Sequence, residues 1–381
     1  MTRIPRSQAT GLEVVAALVG VGVLIGVTVL DIPTLLRLPV ADPLMGLVAT
    51  PINGSLTYLI LVLLMPTWGV IGLEAFRLRT QAEAFACWWG RRHPLREQRM
   101  ECLLRAAYLA WDRGAPSAAA VSAEAGLATA GEGLYLPAVS FYYALCLEVR
   151  AWFLQNEGRY QEALEQYGQA VRLHLKPPSL TAQYYAHAAG LLYVLGRFEE
   201  AVLFSAQAIA ASSYQPDAFT TEAHRWAALS LAELSRPDEA VNHCETGMVI
   251  QPISVHNIWL TADRPWLLYL AGQDEKAEVS FAGLKQAATE GALAEHMRQE
   301  YQEVLGRVRL SQGQAEEAEA LFRASLTDAP RRHLSALYHL SLIAAQKGDE
   351  AQALDWRERL LREAPESFYA ARVRGDGSSE V

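Results

Sequence analysis

Hydrophobic and polar positions follow two regimes along this chain. In the first fifth the apolar positions are continuous. Val14–Leu30 (VVAALVGVGVLIGVTVL) and Leu56–Leu73 (LTYLILVLLMPTWGVIGL) carry no charged residue. Each run approaches the roughly 20 residues with which a helix crosses ~30 Å of hydrocarbon, so transmembrane helices are predicted over about 12–30 and 56–75. A cleaved leader would have a shorter apolar region with a small-residue cleavage site close behind. Asp31-Ile32-Pro33 offers no such site, so the first run is expected to be retained. Later, polar and apolar residues alternate with helical rather than strand-like periodicity. That pattern predicts successive amphipathic helices from about residue 98 to 373.

Arginine placement sets the expected topology. Arg3 and Arg6 precede the first run, and Arg77, Arg79, Arg91, Arg92, Arg96 and Arg99 follow the second, while the loop between them holds only Arg37. Positive residues beside spans stay cytoplasmic. Both termini are therefore expected in the cytoplasm of a multi-pass inner-membrane protein, with residues 31–55 facing outward. The loop is apolar in part (PLMGLVA) and suits the membrane surface. Ala16, Gly20, Gly22 and Gly26 allow close helix approach in lipid, which favours packing of the first run on the second. The domain layout that follows is an anchor at 1–80, a basic connector at 81–97, a helical array at 98–373 and a disordered tail at 374–381.

Six short strings repeat through the array: Gly158–Ala163 (GRYQEA), Gly196–Ala201 (GRFEEA), Ser235–Ala240 (SRPDEA), Gly272–Ala277 (GQDEKA), Gly313–Ala318 (GQAEEA) and Gly348–Ala353 (GDEAQA). Their closing alanines lie 38, 39, 37, 41 and 35 residues apart. A fixed period of this size, with a helix on each side of every string, marks a helix–turn–helix repeat protein. A weaker unit at about 100–133 places Gly114 and Ala119 at the equivalent positions, and Ser367–Arg372 reads as a truncated further helix.

These units resemble the tetratricopeptide repeat family. The resemblance rests on Ala151, Gly158, Tyr160, Ala163, Tyr167 and Ala170 in one unit and Gly306, Gly313, Ala318, Phe322 and Pro330 in another. Glycine at the turn accepts a left-handed cap, the small residues permit close helix crossing, and proline ends the second helix. Pro237 at the aromatic turn position, Pro265 inside a helix, and the long spacings depart from the pattern. Over about residues 98–373 the resemblance implies a right-handed α-solenoid of about six to seven repeats, so that with the two transmembrane helices predicted from the apolar runs the expected fold is all-α. It also implies a concave face lined by first-helix residues that takes extended peptides or partner helices. Carried over onto this chain, those positions are Trp152, Gln155, Gln183, Tyr193, Glu222, Arg225, Trp259, Trp266, Tyr269, Glu303, Arg307 and Tyr338. A clamp for a C-terminal carboxylate would need several basic residues there, and only Arg225 and Arg307 qualify.

Charge narrows the partner class. The formal net charge is −9, and residues 1–80 hold five Arg and four acidic residues (+1), leaving −10 for the rest. Such an acidic region lacks the basic stripe that nucleic acid requires; the cluster from Arg77 to Arg99 suits anionic lipid headgroups instead. Four lysines against 29 arginines, with abundant alanine, point to a GC-rich bacterial genome. Cys87, Cys102, Cys146 and Cys244 form no CxxC pair and fit reduced structural thiols. Phosphate-loop, metalloprotease, nucleophile-elbow and paired metal-ligand motifs are absent from the sequence. The expectation is a protein with no catalytic residues, cofactor or metal: a membrane-anchored adaptor that recruits protein or peptide partners. The alternative is an accessory subunit of a membrane enzyme, protease or secretion complex, docked through its transmembrane hairpin.

Overall fold

The computed structural model describes Val70 and residues 73–74, 78–93, 95–131, 137–173, 178–213, 215–250, 255–289, 295–326 and 333–375. The two expected membrane runs, apart from Val70 and Leu73, lie outside the described residues, as does the expected tail from 376 onward. Among the described residues no helix is long and apolar enough to cross a membrane. Sixteen helices and no strand appear among those residues. The chain divides into two compact units, 1–153 and 154–381.

In the first unit, α1 (Arg79–Arg92) packs on α2 (Arg96–Asp112), and α2 packs on α3 (Pro116–Ala130). The stretch expected as a connector therefore contains a packed helix, which buries Ala82, Ala86 and Gly90 at four-residue spacing. A net basic composition hid this face, because small residues rather than bulky ones make it. Pro116 opens α3 in the first turn, where its missing N–H costs nothing. Ala107, Ala110, Ala119, Ala123, Cys146 and Val149 form one core cluster across α2, α3 and α4 (Pro137–Asn156).

The second unit begins within α4 and continues as α5 (Tyr160–Val171), α6 (Pro178–Val194), α7 (Phe198–Ala211), α8 (Ala218–Glu233), α9 (Pro237–Ile250), α10 (Val255–Leu270), α11 (Asp274–Thr289), α12 (Glu295–Ser311), α13 (Ala315–Ser325), α14 (Leu334–Gln346), α15 (Glu350–Glu363) and α16 (Phe368–Arg374). Each repeated string forms the turn of a helix pair. At Gly196 the backbone takes φ +77°, the left-handed conformation that ends α6, and its N–H donates to the Tyr193 carbonyl at 3.0 Å. Ser235 takes the same role at φ +56°, the single non-glycine with positive φ among the described residues. Left-handed geometry costs an L-residue about 1–2 kcal/mol, so this turn is the strained one. Pro237, a departure from the repeat pattern, sits at the first position of α9, where proline is tolerated. Pro265 lies inside α10 without ending it.

Close packing follows from small residues. Ala163, Ala201, Ala240, Ala318 and Ala353, which close five of the strings, are each fully buried, and Ala277 is 3% exposed. At Gly190 on α6, an added Cβ would lie 2.7 Å from Trp226 on α8, so glycine is what admits that indole. Outside the pairs, consecutive first helices α6, α8, α10 and α12 also pack on one another. That stacking builds a continuous face, as neighbouring repeats bury each other.

Candidate functional site

The first helices of the second unit, α6, α8, α10, α12 and α14, present most of the sequence-predicted positions. At its centre lies a charged network. Asp263 on α10 is fully buried and receives Arg225 Nε from α8 at 2.7 Å and Arg307 from α12 at 3.4 Å. The guanidinium of Arg225 sits 5.0 Å from the Trp259 ring centroid and 5.2 Å from that of Trp226, and Arg307 lies 4.5 Å over Trp266. Aromatic faces attract cations, so the two arginines are held by both charge and π density. Burial opposes ionisation of Arg307, yet Asp263 and its neighbours hold its proton more tightly than usual.

Around this centre the remaining positions fall into local pairs. Glu222 accepts from Trp226 Nε1 at 3.1 Å and lies 3.3 Å from His187 Nδ1. Asp217 caps α8 by accepting from the backbone of Phe219 and Thr220, which fixes where that helix begins. Glu303 on α12 pairs with His333 at 2.9 Å. Burial alone would raise the Glu303 carboxyl, but the His333 hydrogen bond and Arg307 hold it below the usual carboxylate range. Tyr269 donates to the Ser311 carbonyl at 3.1 Å, and Tyr193, 7% exposed, stacks near Trp226 at 5.7 Å. Burial pushes the Tyr193 hydroxyl well above its ordinary value.

Twelve positions were expected on one face, and they are not equivalent. Trp152 belongs to the first unit, packed against Tyr108 and Trp111 at 6.0 and 5.6 Å. Gln155 donates to Tyr167 at 3.2 Å and Gln183 is half-buried on α6. Trp259 and Trp266 are 8% and 9% exposed, covered by arginine rather than open as apolar anchors. Arg225, Trp259, Trp266 and Arg307 converge on Asp263, a residue that the sequence reading passed over. Its only signal was position: Asp263 follows Trp259 by four residues on the same helix.

Also unforeseen is the return of the C-terminal helix. Phe368 packs against Tyr193 and Phe198 at 5.6 and 5.2 Å, and Tyr369 against Tyr338 at 5.4 Å. Arg372 pairs with Glu233 on α8 at 3.1 Å. A cavity of about 120 Å³ remains beside α16, with Trp266, Arg307, His339, Tyr369 and Arg372 among its lining residues. No group of three or more His, Cys, Asp or Glu is placed to hold a metal ion among the described residues.

The tetratricopeptide repeat family model matches residues 149–216 and 303–368. The chain is also similar to RapI in its apo form, at 13% identity and a TM-score of 0.55 over 74% of this chain and 75% of that one. A tetratricopeptide repeat protein from Parabacteroides merdae is 16% identical, with a TM-score of 0.47 over 73% of this chain and 99% of its own. A Rap conjugation regulator of plasmid pLS20, solved with the Phr* peptide, is 12% identical, with a TM-score of 0.48 over 74% and 78%. No curated protein matches the chain. The RapI likeness bears on fold alone; the repeats within the helical solenoid are found by the family model.

Proposed function

We propose that this protein is a non-catalytic scaffold whose first-helix face in the second unit binds a helical segment of a protein partner, with the apolar N-terminal runs anchoring it in a membrane. The observation that carries the reading is the seating of α16. This face already accepts a short helix through two aromatic side chains and an ion pair. Tryptophan, tyrosine and arginine, which line it, are the residue types that dominate binding energy at interfaces. Membrane anchoring is supported by the sequence of 1–80, and it leaves room for the alternative of an accessory subunit in a larger membrane assembly.

A photoreactive residue in place of Tyr269 tests the reading in the full chain, expressed in its native membrane. Position 269 should crosslink to a partner protein. The same residue in place of Leu203, 56% exposed on the second helix α7, should give no such product. Crosslinks from Leu203 alone, or from neither position, would remove the first-helix face as the binding surface.

A further inference from the structure

A helix that merely caps the last repeat would touch α14 and α15 and nothing else. α16 does touch both, but it is anchored elsewhere as well. The backbone N–H of Gln161, in the first turn of α5, donates to Glu366 at 2.8 Å. Phe368 sits on the turn between α6 and α7, and Arg372 reaches Glu233 at the end of α8. The segment thus bridges elements up to 205 residues apart in sequence.

The fit at the α6–α7 turn is close. A Cβ on Gly196 would fall 2.7 Å from the Phe368 Cβ, so the glycine that shapes the turn also admits the aromatic ring. Phe368 and Tyr369 are 6% and 7% exposed, and Ala370 is fully buried. Arg372 lies one turn beyond Phe368 and covers its ring at 5.0 Å. At the other edge the fit is incomplete. Arg307 Nε and His339 Nδ1 have no hydrogen-bond partner among the described residues, and both residues border the cavity left beside α16.

Resting on the scaffold reading above, we propose that α16 is a self-ligand: it occupies the partner site in cis and is displaced by a partner helix that carries two adjacent aromatic residues, an arginine one turn later, and a polar acceptor for the unfilled cavity. A helix of seven residues has little stability of its own, so α16 forms by docking and melts on release. Its tether gives it a high effective concentration at the site, so a partner binds only the undocked fraction of molecules. The apparent affinity falls in proportion to that fraction. An acceptor that reaches Arg307 and His339 supplies contacts α16 lacks, which is how a free partner can outcompete a tethered segment.

The test uses the full chain and a fluorescein-labelled peptide of residues 364–375 (APESFYAARVRG). Fluorescence anisotropy should show at least about tenfold tighter binding to the Phe368→Ala chain than to the wild type, because opening the site raises the competent fraction. Arg372→Glu, which sets a carboxylate against Glu233, should give a smaller gain in the same direction and serves if Phe368→Ala lowers the melting temperature. In the wild-type chain, saturating peptide should speed amide exchange across residues 367–374. Equal affinity for open and wild-type chains, or no binding to a folded open chain, overturns the proposal. If that happens while Tyr269 still crosslinks to a partner, the self-ligand alone is wrong; loss of both retires the binding face itself.

Discussion

The two units solve the same packing problem with different chemistry. In the first, alanine, leucine and cysteine fill the crossings among α2, α3 and α4, and the arginine–glutamate pairs keep their guanidinium groups outside. Arg105, Arg113 and Arg150 are 31%, 45% and 38% exposed in those pairs. In the second, the first helices bring a carboxylate with no solvent exposure between two arginines that are 15% and 10% exposed. Small apolar residues allow close approach without directional demand. A buried ion network is directional, and adds little net stability while being costly to break. The second unit therefore spends part of its interior on groups suited to recognition, and its face is fixed by charge as well as by shape.

Breaking that contrast should have the largest effect at Asp263. Asp263→Ala strands two arginines in the interior and should lower stability by about 3–5 kcal/mol in chemical denaturation, the scale for removing one partner of a buried pair. Glu124→Ala in the first unit, whose carboxylate is 58% exposed opposite Arg150, should stay within about 0.5 kcal/mol of the wild type. Similar losses at both sites would erase the distinction between the units.

Acid should act mainly through the buried histidines of the second unit. Burial, reinforced by Arg307, pushes His339 down to about 4. His224, beside His243 at 3.1 Å, is pushed to about 4 by burial and then by that neighbour. The unfolded chain takes up these protons near the ordinary histidine value and the folded chain does not. Stability is therefore full above about pH 6.5 and falls as pH drops toward 4. His339 alone should contribute a loss on the order of 2–3 kcal/mol across that window. His339→Phe, which keeps the stack on Phe322, should flatten the pH profile of the melting temperature; an unchanged slope would falsify the assignment.

Close packing should prove common to both units. Ala201→Leu in the second and Ala119→Leu in the first each place extra methylenes at a fully buried crossing. Each should cost roughly 1–3 kcal/mol through overpacking. A loss at only one of them would confine tight helix crossing to that unit.

The smallest effect sharpens the comparison at the turns. Ser235→Gly relieves a left-handed residue and should raise stability by about 1 kcal/mol, whereas Gly114→Ser in the first unit, at φ +81°, should lower it by a similar amount. The reciprocal pair isolates backbone geometry, because nothing lies within 4 Å of a Cβ built at Gly114.

Helix order, the hairpin turns and the tight positions were legible from the chain alone, since each depends on residues close in sequence. A glycine that ends one helix (Ser235 in one unit) and an alanine five residues later, in the first turn or so of the next, state the turn directly. α1 was missed because its buried face consists of Ala82, Ala86 and Gly90, which carry almost no hydrophobic signal among arginines and tryptophans. The candidate site was legible only as a set of positions. Nothing in the spacing of Trp259 and Trp266 shows that guanidinium groups from neighbouring helices cover them.

The sequence by itself determined an all-helical repeat array, its period, its left-handed turns and its acidic, arginine-rich surface chemistry, because helical periodicity and turn geometry are set by residues a few positions apart. Only the tertiary structure decided that Asp263 joins Arg225 and Arg307 across three helices, and that Phe368, Tyr369 and Arg372 return to the face built by α6, α8 and α14. Those contacts join residues 31 to 175 positions apart. They depend on how successive hairpins stack, and stacking is a sum of small crossing angles and close approaches that no local pattern records.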